Sequence, residues 1–86
     1  MPEISRFYGI VIKMYPEDHP MPHFHVAYSG WAATILIRTL EIDEGNLPNT
    51  AARLVKRWAR LHQDELMSNW KMVEAGMRPN KIKPLE

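Results

Sequence analysis

The chain has 86 residues, 45% hydrophobic and 24% charged, the proportions of one folded domain with a single modest core rather than of a disordered segment. It contains no cysteine, which excludes disulfides, thiolate zinc sites and a cysteine nucleophile together, and no apolar run nears the roughly 18 residues of a membrane span. The net charge of +1 hides a division: residues 1–50 carry three basic side chains against six acidic ones, and residues 51–86 carry eight against four.

In chain order, the opening MPEISRFYG lacks the apolar core of a signal peptide, so a cytoplasmic, bacterial-type protein without membrane contact is expected. Residues Phe7 to Tyr15 read as one strand, with Tyr8, Ile10, Ile12 and Met14 on one face and Gly9, Val11 and Lys13 on the other. Pro16, Pro20 and Pro22 stiffen the loop that follows. HFHVAY alternates again, Ser29-Gly30 signals a two-residue hairpin, and WAATILIR supplies its second strand. If Tyr28 pairs with Trp31, then Phe24 faces Ile35, His25 faces Thr34 and His23 faces Leu36. The apolar faces then coincide, and His23, His25, Thr34 and, diagonally, Arg38 collect on the other face. A short strand is expected around Leu40–Ile42.

The rest reads as helix. Ala51, Leu54, Val55, Trp58, Leu61 and His62 form an apolar stripe, with Arg53, Lys56, Arg57 and Arg60 on the opposite side. A straight continuation would bury Glu65, which is costly for an unpaired charge, so a break is expected near His62–Asp64. A second helix then turns Leu66, Trp70 and Val73 inward and ends at Gly76. The expected fold is α+β: a small antiparallel sheet of three to four strands, followed by two C-terminal helices, or one kinked helix, packed on one face. Residues 1–76 form the domain, and 77–86 an extended basic tail.

Chemistry without thiols falls on the histidines. His23 and His25, at i and i+2 on a strand, point the same way about 6.6 Å apart, a spacing that suits joint metal ligation or an acid–base pair. A metal site on His23 and His25 needs a third or fourth ligand, for which His19 is the first candidate and Glu17, Asp18 and His62 the others. The plain alternative is that these histidines serve packing and hydrogen bonding. His62, on the apolar side of its helix beside Trp58, reads first as a structural residue, as do Trp58 and Trp70. The arginine-rich stripe reads first as a solvated face and second as a phosphate-contacting one, which Arg78, Lys81 and Lys83 would extend. An N-terminal Pro2 amine, the base of small tautomerases, is set aside because strands precede all helices here.

ISRFYGIVIKMY, HPMPHFHV, TLEI-EG-LP and the helix LVKRWARLHQDELMSNW together resemble the bacterial domain-of-unknown-function family 4160. The likeness spans nearly the whole chain and carries its motif onto Pro22, His23, Phe24, His25, Val26, Trp58, His62, Glu65, Leu66 and Trp70. Met21 departs from it, standing where another proline is common. Members of that family are often encoded beside family 2442, an arrangement resembling a toxin–antitoxin pair. The resemblance thus implies a small partner-binding protein of a two-gene module that meets the product of an adjacent gene. The residues themselves add the basic face Arg53, Lys56, Arg57 and Arg60, or an exposed sheet edge, as the surface for that partner or for nucleic acid, with a homodimer through an edge or Trp70 as a further possibility. The resemblance implies no established reaction and no cofactor. The competing expectation is a metal-independent ribonuclease with His23 and His25 as base and acid and Arg38 stabilising phosphate charge. The third is metal binding by the histidine cluster.

Overall fold

Two glycine-assisted reversals organise the sheet. In the computed structural model, which describes residues 2–17 and 20–86, Tyr8 and Gly9 adopt φ of 50° and 79°, and Ser29 and Gly30 adopt 44° and 86°. Positive φ at both central residues makes each a tight hairpin turn whose twist matches its flanking strands. The first joins β1 (Glu3–Phe7) to β2 (Ile10–Lys13), and the second joins β3 (His23–Tyr28) to β4 (Trp31–Leu36). With β5 (Ile42–Gly45), five antiparallel strands pair in chain order.

The sheet therefore has five strands rather than the expected three to four, one predicted strand being a hairpin. The single strand read from Phe7 to Tyr15 folds back at Tyr8-Gly9, which puts Phe7 opposite Ile10 and leaves Tyr8 exposed instead of on the core face. Tyrosine is a poor signal for a left-handed backbone, which is why alternation ran on through the turn. The β3–β4 register agrees with the sequence pattern, from Tyr28 opposite Trp31 to His23 opposite Leu36. The last strand begins later than expected, at Ile42, because Leu40 (φ 63°) closes a turn in which its N–H donates to the Leu36 carbonyl at 2.8 Å. At Gly45 (φ 78°) a Cβ would stand 2.2 Å from the Ala32 carbonyl oxygen, so glycine is required for β5 to approach β4.

Helices α1 (Asn49–Leu61) and α2 (Gln63–Glu74) break at His62, and the first turn of α2 carries Asp64 and Glu65, favourable to the helix dipole. Ala51, Val55, Trp58 and Ala59 form the buried stripe of α1. Leu61 is 68% exposed, contrary to the stripe read from the sequence. At 100° per residue it lies about 105° from the stripe's middle. On α2, Leu66, Trp70 and Val73 turn inward as expected, joined by Asn69. The helix ends on Gly76, where Gly76 N–H reaches the Val73 carbonyl and Met77 N–H the Met72 carbonyl, the paired bonds of a Schellman cap.

Trp58 fills the centre of the core, with its ring 5.4 Å from Phe7 and 6.0 Å from Phe24. Residues 77–86 have no helix or strand, yet they are held at three points. Ile82 is buried and its N–H bonds the Ile4 carbonyl on edge strand β1 at 2.8 Å; Trp58 Nε1 donates to the Lys83 carbonyl at 2.9 Å. The Asn69 side chain both donates to the Asn80 carbonyl and accepts from the Asn80 N–H, each at 2.9 Å. The segment thus covers the β1 edge, a position that open sheets must protect.

Candidate functional site

Strand alternation alone would direct His23 and His25 to the same side, and the loop after β2 brings an acid to meet them. Glu17 Oε1 lies 2.6 Å from His23 Nε2 and 2.7 Å from His25 Nε2, so one carboxylate oxygen gathers both rings, whose centroids are 5.1 Å apart. The two histidines differ in setting. His23 is 1% exposed, packed 4.9 Å from the Trp70 ring, whereas the His25 side chain remains 23% exposed. Tyr15 stacks on His25 at 4.5 Å with planes only 7° apart.

Proton positions follow from the partners. His23 Nδ1 is 2.9 Å from the Met21 carbonyl oxygen, which can only accept, so Nδ1 carries the hydrogen and a single proton lies between Nε2 and Glu17. The hydrogen bond from His23 holds the Glu17 carboxyl below its ordinary value; burial opposes this, and the bond and charge of His25 assist it. Burial, seconded by the Glu17 charge, pushes the Tyr15 phenol up. The arrangement can hold an ion pair, relay a proton between rings through a carboxylate, or offer two imidazole nitrogens and an oxygen to a cation.

His25 also borders a groove on the sheet, lined by Lys13, Tyr15, Ala27, Ala32, Thr34 and Glu44. Arg38 lines a different hollow, with Met21, Pro22, Trp70, Lys71 and Glu74. His62 bonds Glu65 (Nδ1 to Oε1, 2.6 Å) and sits with its ring 5.6 Å from that of Trp58. His19, the remaining candidate ligand, lies outside the described residues. On α1, Arg53, Arg57 and Arg60 are exposed and Lys56 half-buried; none forms an ion pair among the described residues.

Sequence spacing singled out the two histidines, while Glu17 was one candidate among several because only the loop path decides which acid arrives. Nothing in the sequence pointed to the stacking role of Tyr15. A family described as a domain of unknown function, DUF4160, matches residues 9–71. The chain belongs to the DUF4160 family. The matched span contains Glu17, His23, His25, the basic stripe of α1, Trp58, His62 and Trp70. The anchoring residues Asn80, Ile82 and Lys83 fall beyond the DUF4160 match. No curated protein and no solved structure matches the chain.

Proposed function

We propose that this protein works by binding a partner, as one component of a two-gene, toxin–antitoxin-like module, and that the outer face of α1 is where an anionic partner docks. The observation that carries this reading is the set of three exposed arginines on one helix face without an acidic partner among the described residues. Surface arginines commonly find a carboxylate nearby, and the acids of α2's first turn are close in sequence, yet Glu65 pairs with His62 instead. Arg53, Arg57 and the exposed Leu61 fall in line at i, i+4 spacing, so the face combines charge with an apolar contact. An acidic protein surface meets both features, and the product of the adjacent gene is the first partner to test; a nucleic acid would use the arginines as phosphate contacts. Co-expression of this chain with that product should yield one co-purifying complex at moderate salt. Separate elution of the two proteins would contradict the reading.

A second reading, a small histidine-dependent ribonuclease, draws support from His25, which borders the sheet groove while Glu17 orients its ring. Arg38 lines a different hollow from the groove that His25 borders, so this reading leans on the histidines and Glu17. Cleavage of RNA by the purified chain, abolished by His25→Ala, would establish this reading; intact RNA would end it.

A further inference from the structure

We infer that Glu17, His23 and His25 form a binding site for a divalent transition-metal ion of the zinc class. The inference rests on the hydrogen-bonded cluster and is independent of the basic face of α1. One ligand atom from each residue, two imidazole nitrogens and one carboxylate oxygen, lies within 4.8 Å of the others. Two imidazoles favour zinc and its neighbours over magnesium or calcium, which prefer an all-oxygen shell.

The surroundings of His23 strengthen the assignment. Its Nδ1–H is committed to the Met21 carbonyl, which fixes the ring and turns Nε2 toward the cluster. This is the usual outer-shell arrangement of a metal-ligating histidine, with the second nitrogen donating to a carbonyl or carboxylate. Burial against Trp70 keeps that ring in place, and Tyr15 supports the face of His25. Two of the three ligands are thus already oriented.

Distances show what the ion must change. Nitrogen–oxygen separations of 2.6 and 2.7 Å are hydrogen bonds. Ligand atoms about 2.0–2.1 Å from a tetrahedral zinc stand about 3.3 Å from one another. The carboxylate must therefore retreat by under about 1 Å as the proton between oxygen and nitrogen gives way to the ion. The two imidazole nitrogens, within 4.8 Å of each other, must draw in toward about 3.3 Å. Glu17 is exposed and lies outside any helix or strand, and His25 is partly exposed, so these adjustments fall on the two ligands other than the enclosed His23. Glu17 and His25 both reach solvent, which leaves the remaining coordination position to water.

The test is calorimetric titration of the full-length, chelator-treated protein with zinc chloride, repeated on His25→Ala and Glu17→Gln. These partly exposed positions spare the buried His23, and circular dichroism of each variant confirms its fold. One ion per chain, bound at least about tenfold more weakly by each folded variant, is the expected result. Cobalt(II) should give a visible absorption band in the parent protein that the His25→Ala variant loses. No heat of binding with zinc, or binding unchanged in both folded variants, would overturn the site.

Discussion

Individual side chains in the cluster have unequal structural weight, which burial makes testable. His23 is enclosed by Trp70, Met21 and Glu17, so His23→Ala leaves a cavity beside Trp70 and removes the hydrogen bonds to the Met21 carbonyl and Glu17. A loss of about 2–4 kcal/mol is expected in urea unfolding. His25→Ala, at a partly exposed position, should cost under about 1 kcal/mol in the same measurement. Equal losses would refute the division between an anchored and an accessible ring. Gly45 presents a sharper case: Gly45→Ala drives a methyl into the Ala32 backbone at a positive φ. The expected cost is about 2 kcal/mol or more, seen as a lower melting temperature.

At the level of elements, the sequence and the fold agree wherever a local pattern was also the deciding force. The β3–β4 hairpin was legible because Ser29-Gly30 supplies a recognised turn and both strands alternate in phase with it. The helix break was legible through the burial that Glu65 would otherwise suffer; the break leaves Glu65 in solvent and bonded to His62. Local pattern failed at Tyr8, where a bulky residue occupies a turn conformation, and at Leu61, where an apolar residue stands off the buried arc. The anchorage of residues 77–86 was illegible for a different reason. It depends on backbone carbonyls of Asn80 and Lys83, which no side-chain pattern encodes, meeting Asn69 and Trp58 across the fold. Removing residues 77–86 should uncover Ile4 and Trp58 and orphan the indole N–H. For a chain of this size the melting temperature should then fall by about 10 °C or more. An unchanged melting curve would show that the segment rests on the domain without supporting it.

Across the whole molecule, charge and chemistry are spatially divided. The strands and loops hold the Glu17–His23–His25 cluster and most of the acidic residues, whereas the helices present an arginine face backed by a well-anchored core. Such a division would let one small domain carry the proposed partner surface and the inferred ion site without either constraining the other. Reversing the three exposed charges (Arg53→Glu, Arg57→Glu and Arg60→Glu together) should leave the core untouched, since these side chains lie opposite the buried stripe. The most direct measurement is the affinity of this triple variant and of the parent for the adjacent gene's product across a series of salt concentrations. The parent should bind with an affinity that declines steadily as salt rises, and the variant should lose at least about tenfold at low salt. Equal affinity of the two proteins, or binding indifferent to salt, would contradict the assignment of α1 as the docking face.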